Sequence, residues 1–433
     1  MAFEALLIIL GVLLLLLFLG VPISYSIGIS SLSAVLLAVD IDVAVLTAAQ
    51  RTFVGMSKFS LTAIPFFILA GNIMNQGGIA KRLVNFVMAI LGKLPGALLV
   101  TNVGTNALFG AISGSASAAA AAVGSMVREG ADEQGYDPAI TAATNAASAP
   151  SGLLIPPSNA LITYSLASGG TSVAALFMAG YIPGIIWAVC CAVVGIILAK
   201  KHGYKGISGK FEWKNLLRAT IAALPSLSLI IVVIGGIVGG IFTATEGSAI
   251  AVVYSLILAV CYKSITWKSL WKIIVDSAKM SGMVVFLIGV SNILGWVMAF
   301  TQIPDAVATA LLSLTENKYV ILLIMNLILL IAGTFMDVTP AILIFTPLFL
   351  PICEGFGMSP IHFGLILVYN LCIGNITPPV GNTLFVGIKI GRTSLAKVLP
   401  YMMMYYAAIL VGLLLITYIP QITMILPQVT GLV

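Results

Sequence analysis

The chain has 433 residues, of which 60% are hydrophobic and only 8% charged, and its mean hydropathy is +1.15. Soluble globular proteins carry about 25% charged residues, so a soluble fold is excluded. Continuous apolar runs of about 20 residues recur from end to end, which excludes a membrane β-barrel and makes the net charge of +6 a signal of topology, not of nucleic-acid binding.

In chain order, residues 3–20 and 21–39 read as two apolar helices parted around Gly20 and Pro22. Glu4 precedes the first run, with no basic leader and no cleavage site, so it reads as a retained helix. Residues 43–58 are amphipathic and carry Arg51, an interfacial pattern; 61–75 cross; 80–93, with Lys81 and Arg82, are interfacial again. An apolar limb from Pro95 then reaches Phe109-Gly110-Ala111-Ile112-Ser113-Gly114-Ser115-Ala116-Ser117, and 116–127 leads away to a polar loop over 128–137. Residues 138–168 are interrupted at Ala149-Pro150-Ser151-Gly152 and at Pro156-Pro157-Ser158-Asn159, which predicts a discontinuous helix, since proline breaks the intrahelical ladder. Residues 173–199 cross, and the most basic loop follows, with Lys200, Lys201, Lys205, Lys210, Lys214 and Arg218 against Glu212.

The second half replays the first. Residues 221–241 and 248–262 form a pair, an amphipathic stretch carries Trp267 and Trp271, 281–300 cross, and 304–315 lie at the surface. Residues 319–332 climb to Gly333-Thr334-Phe335-Met336-Asp337-Val338-Thr339, 338–353 descend, 360–390 break at 374–379, and 399–419 finish the chain. Phe66 to Met74 matches Phe286 to Leu294 at an offset of 220; Ser115 and Ser117 match Asp337 and Thr339, and Pro156-Pro157 matches Pro378-Pro379, at 222. Several matches in register argue for duplication.

Polar, helix-breaking sequence at membrane depth is tolerated only where protein buries it or where it lines a site. Each tip is therefore either the turn of a re-entrant hairpin or the end of a full crossing, and charge decides. With hairpins each half has five crossings, the halves are inverted, and all of the 20 Lys and Arg except Arg51, Lys58 and Lys318 fall on the cytoplasmic side. With full crossings Lys81, Arg82, Lys93, Lys389, Arg392 and Lys397 move outside, against the positive-inside rule. The expected fold is an all-α polytopic membrane protein: an inverted repeat of 1–218 and 219–433, both termini outside. The expected scaffold helices are 1–58 and 219–279, the hairpins 95–128 and 319–353, and the broken helices 138–168 and 360–390.

Breaks at equivalent places in inverted repeats converge near the midplane, offering carbonyls to cations and helix-starting amides to anions. A first Na⁺ site is expected from Ser113, Gly114, Ser115 and Ser117, facing Pro150, Ser151 and Gly152: hydroxyls and freed carbonyls, hard ligands for a hard cation. A second is expected from Gly333, Thr334, Met336, Asp337 and Thr339 with Asn375 and Thr377. Asp337 is the one carboxylate at mid-membrane depth, where it requires a cation, a proton or a basic partner. Small residues at tips equally suit close helix packing, the preferred reading for the alanine-rich 116–122. Ser158, Asn159 and Asn382, at starting half-helices, suit either a substrate carboxylate or helix capping. Cys190, Cys191, Cys261, Cys353 and Cys372, with His202 and His362, show no metal-ligand spacing, so no cofactor is expected beyond the coupling ion.

At these residues the chain resembles the large membrane subunit of tripartite ATP-independent periplasmic (TRAP) transporters. The resemblance rests on Pro65-Phe66-Phe67-Ile68-Leu69-Ala70-Gly71, Gly77 to Leu83, Leu94-Pro95-Gly96, Phe109 to Ser115, Ile155 to Ser158, Gly333 to Asp337 and Asn375 to Gly381. It implies Na⁺-coupled uptake of an organic acid, sialic acid or a C4-dicarboxylate, across a bacterial or archaeal inner membrane by an elevator-type moving domain, with the sialic acid systems the closer match. It also implies a small four-helix membrane subunit, here expected on a separate polypeptide, and a soluble periplasmic binding protein. Rival readings are a self-sufficient divalent-anion/Na⁺ symporter, an intramembrane hydrolase using a serine and Asp337, and a passive scaffold.

Overall fold

The computed structural model describes residues 1–206 and 213–433, which are helical throughout apart from turns and connections. In the first half α1 (Ala2–Phe18) packs on α2 (Ile23–Val35), and α3 (Ile41–Met56) passes through a 3₁₀ turn at Phe59–Thr62 into α4 (Ala63–Gln76), followed by α5 (Ile79–Leu91). The hairpin α6 (Ala97–Ser113) and α7 (Ala116–Glu133) precedes a broken helix of α8 (Pro138–Ser148), α9 (Ser151–Leu154) and α10 (Asn159–Ala167), and α11 (Val173–Lys201) closes the half. The second half runs through α12 (Trp213–Val238), α13 (Ala244–Cys261), α14 (Trp267–Phe300) and α15 (Ile303–Leu314) to the hairpin α16 (Lys318–Phe335) and α17 (Val338–Gly355). Its broken helix is α18 (Pro360–Gly374) and α19 (Asn382–Gly391), before α20 (Leu395–Tyr418) and α21 (Gln421–Val429). Among the described residues seven helices are long and apolar enough to cross a bilayer, or eight if the bent pair of α3 and α4 is one span. The chain is a multi-pass helical membrane protein.

Four expectations change. The stretch carrying Trp267 and Trp271 is not separate from the crossing at 281–300: both belong to α14, 34 residues started by a capping box of Thr266 and Ser269. At 1.5 Å per residue α14 is about 51 Å long, beyond the ~30 Å hydrocarbon layer, so its amphipathic start is the part that projects. Its counterpart in the first half is bent by 59° between α3 and α4. Pro65, which cannot donate to the helical ladder, stands there where α14 has Val285. The loop expected over 128–137 is helical as far as Glu133, with Arg128 paired to Asp132 at 3.0 Å and donating to the Ile390 carbonyl. The division at 218/219 falls inside α12, and Lys210 and Glu212 of the basic loop lie outside the described residues. α21 was not anticipated.

The halves are related by inversion. A Cβ on Gly195 of α11 would stand 3.8 Å from the Tyr405 hydroxyl of α20, and one on Gly412 of α20 would stand 3.3 Å from Ile186 Cγ2 of α11. Contacts that advance along α11 thus retreat along α20, so these equivalent helices run antiparallel. Outer helices pair across the halves in the same pattern, α13 with α4 and α2 with α14. Near the centre Cys372 Sγ lies 4.0 Å from the Pro150 carbonyl oxygen, a pair separated by the repeat offset of 222 residues, as contacts close to a pseudo-two-fold axis must be. Inverted halves need an odd number of crossings each, which agrees with two re-entrant hairpins.

Candidate functional site

The cavity at the centre is built from the breaks. Ser113 ends α6; Gly114 takes a left-handed conformation (φ 61°), and Ser115 returns to extended backbone as the N-cap of α7, its hydroxyl accepting from Ala118 N at 3.3 Å. Ser115 and Ser117 hydroxyls lie 3.2 Å apart. In the second tip Met336 and Asp337 are extended between α16 and α17. Both Pro156-Pro157 and Pro378-Pro379 are cis and precede the restarting helices α10 and α19.

These four features meet around one cavity of about 110 Å³. Of the expected residues, Gly114, Ser115, Ser117, Asn159, Asp337, Thr339, Asn375 and Asn382 line it. Asp337 is its one carboxylate and is exposed to it, with the Asn382 side chain against the carboxyl group; no Lys or Arg lines the walls. Asn159 donates to the Gly114 carbonyl at 3.4 Å, joining the first tip to the start of α10, while its Oδ1 and that of Asn375 are buried without a hydrogen-bond partner. Unpaired amide oxygens of this kind are costly unless a donor or cation satisfies them.

The other expected residues do not line this cavity. Ser113 is buried and its hydroxyl donates at 3.4 Å to the Ser115 carbonyl; Ser151 donates to the Ser148 carbonyl at 2.7 Å beside Pro150. Thr334 and Thr377 hydroxyls bond back to Ile331 and Ile373, each at 2.7 Å, and Met336 spans the turn. Gly152 and Gly333 are at close helix crossings with Gly110 and Gly374. Ser158 is buried as the N-cap of α10, accepting from Leu161 N at 3.3 Å and donating to the Leu153 carbonyl, so of its two readings the capping one is what the geometry displays.

Sequence reasoning missed two things. The cavity's apolar wall includes Ile64 and Ile68 of α4 with Met280 and Val284 of α14. Ile64 and Val284 are separated by the 220-residue offset of the Phe66 and Phe286 segments, so that repeat, extended half a turn upstream, was the available signal. The second omission is the buried amides that pin each hairpin to its broken helix. Asn106 Nδ2 reaches Asn145 Oδ1 at 3.1 Å and Ser148 Oγ at 2.8 Å, and Asn370 Nδ2 reaches Asn326 Oδ1 at 2.8 Å. Asparagines within apolar runs were that signal.

Carbonyls freed by the breaks are also satisfied. Trp187 of α11 donates to Ala147 O at 2.8 Å, and Tyr406 of α20 donates to Ile376 O at 2.6 Å. The arrangement is a small chamber with one apolar wall, lined on its other sides by a carboxylate, hydroxyls, amides and two helix starts, a donor set whose oxygens suit cations and whose helix-starting amides suit anions.

A family model described as the DctM component of the tripartite ATP-independent periplasmic transporter matches residues 10–422. The chain is 51% identical to the uncharacterized protein YgiK of Salmonella typhimurium, with 94% of each chain covered. It is 35% identical to the C4-dicarboxylate TRAP transporter large permease protein DctM of Rhodobacter capsulatus, covering 98% of this chain and 99% of that one. With the sialic acid TRAP transporter large permease protein SiaM of Vibrio cholerae it is 32% identical over 95% of this chain and 96% of that one. Among solved structures the YdaH transporter of Alcanivorax borkumensis shares the fold, with a TM-score of 0.67, 14% identity and coverage of 88% and 89%. A family model over nearly the whole length and permeases above 30% identity agree with the helical architecture: the chain belongs to the DctM component family of TRAP transporters, which are transport proteins rather than enzymes.

Proposed function

We propose that the chain is the transport subunit of a Na⁺-coupled symporter that imports an organic acid, a C4-dicarboxylate or sialic acid, across a bacterial inner membrane. The observation that carries this reading is the convergence of both hairpin tips and both helix restarts on one cavity whose only carboxylate, Asp337, has no basic residue beside it. Na⁺ at Ser115, Ser117, Asp337 and Thr339, with the unpartnered oxygens of Asn159 and Asn375 as further donors, offsets the cost of that charge. The bound cations then neutralise a substrate carboxylate docked at the starts of α10 and α19, where Asn159 and Asn382 stand. At about 110 Å³ the cavity is below the ~300–1,000 Å³ usual for small-molecule sites, so cargo enters when the hairpins part from α4 and α14.

The hairpins with their broken helices form the moving body and the outer helices the frame. Support comes from broken symmetry: α4 packs on α6, the first arm of its hairpin, whereas α14 packs on α17, the second arm. A small four-helix membrane subunit and a periplasmic binding protein complete the system, and both termini face the periplasm. The test is uptake of labelled succinate and of N-acetylneuraminate into proteoliposomes containing the whole transporter, with an inward Na⁺ gradient and the binding protein inside or outside. Uptake that needs both Na⁺ and the external binding protein supports the reading. Equal uptake without Na⁺ overturns the coupling, and equal uptake without the binding protein indicates the self-sufficient symporter.

A further inference from the structure

A second cavity, of about 480 Å³, lies between α3, α10, α14 and α17, and its walls include Arg51, Lys58, Ser291, Asn292 and Trp296. It lies directly beyond the central chamber along the same two helices. Thr163 and Val284 line the chamber, and Leu166 and Ile288 line this cavity. The separation is about 4.5 Å along α10 and about 6 Å along α14 at 1.5 Å per residue. No carboxylate lines the second cavity, and neither Arg51 nor Lys58 forms an ion pair among the described residues. The Arg51 guanidinium stands 5.9 Å from the centre of the Trp296 ring, a contact that orients the cation without neutralising it. Both cations are exposed, and on the inverted topology they sit on the face opposite the other basic residues of the first half.

We propose that this cavity is an electropositive vestibule that captures a small organic anion before it reaches the central chamber. Two exposed, unpaired cations on the walls of a cavity otherwise lined largely by apolar side chains focus field and concentrate anions. Ser291 and Asn292 add polar side chains to the walls, and Trp296 provides an apolar surface for the carbon body of the ligand. The identity of the anion as transported carboxylate rests on the function proposed above; the vestibule itself rests on geometry and charge.

The experiment uses the full chain with Cys190 and Cys261 changed to Ala and a single reporter, Ala167→Cys or, independently, Ala299→Cys. Modification by an anionic and a cationic thiosulfonate reagent is followed in nanodiscs of phosphatidylcholine alone and with phosphatidylglycerol. The anionic reagent is expected to react faster, with a rate ratio that falls about tenfold in Arg51→Gln/Lys58→Gln, and millimolar succinate is expected to slow it. An unchanged ratio, or unreactive cysteines at both positions, overturns the vestibule. So does protection by phosphatidylglycerol with none by succinate, which would make the occupant a lipid headgroup. This readout needs no uptake: if the reconstituted transporter carries no carboxylate yet the ratio collapses as stated, the proposed cargo fails and the vestibule stands.

Discussion

Gly152 of α9 meets Gly110 of α6 so closely that a Cβ on Gly152 would stand 2.2 Å from the Gly110 Cα, and Gly374 of α18 meets Gly333 of α16 in the same way, at 2.5 Å. Each hairpin's first arm therefore crosses its broken helix at a pair of glycines. Backbone faces backbone at both points, so an added methyl has no flexible side chain to displace.

Gly152→Ala and Gly374→Ala should each lower stability by about 1–3 kcal/mol or more, as overpacking does. Gly282→Ala is the control, since a Cβ there meets nothing within 4 Å. Thermal unfolding of the purified protein, followed by tryptophan fluorescence, should place both variants well below the control.

The buried amide contacts make a second prediction. Asn106→Ala strips partners from Asn145 and Ser148, and Asn326→Ala does so for Asn370 and Thr417. Hydrogen bonds within membranes average about 0.6 kcal/mol, so losing two or more should cost roughly 1–2 kcal/mol. Hydrogen exchange should speed up in the affected hairpin, α6 or α16, before it does in α1 or α2.

The aromatic donors to the breaks make a third. Tyr406→Phe keeps the ring and removes the donor to the Ile376 carbonyl, and Trp187→Phe removes the donor to Ala147. Each should cost about 1–3 kcal/mol, the penalty of a buried group left unpaired. Tyr418→Phe, whose hydroxyl bonds Tyr319 O at an exposed position, should change the melting temperature little.

Much of this was legible in the chain because inversion leaves marks that do not depend on packing. The proline pairs, the tips and the distribution of Lys and Arg gave the repeat, the two hairpins and the breaks, and eight expected residues line one chamber. What was not legible depends on depth and partners. Gly152, Gly333 and Ser151 have the same composition as the lining residues, yet they face neighbouring helices, a difference of rotation that single-residue identity does not encode. The charged starts of α12 and α14 read as loop or interface because amphipathic pattern does not say whether a helix continues into an apolar run.

The most direct test of the central claim is the Na⁺ dependence of thermal stability in the purified protein, because an ion that binds only the folded state raises its melting temperature. Measured in NaCl against choline chloride at constant ionic strength, the wild type should be stabilised by Na⁺. Asp337→Asn should need about 10- to 100-fold more Na⁺ for the same rise, the equivalent of about 1.5–3 kcal/mol of a charge-assisted contact. Ser115→Ala should fall between the two. Identical Na⁺ curves for the wild type and Asp337→Asn would contradict a cation held by that carboxylate.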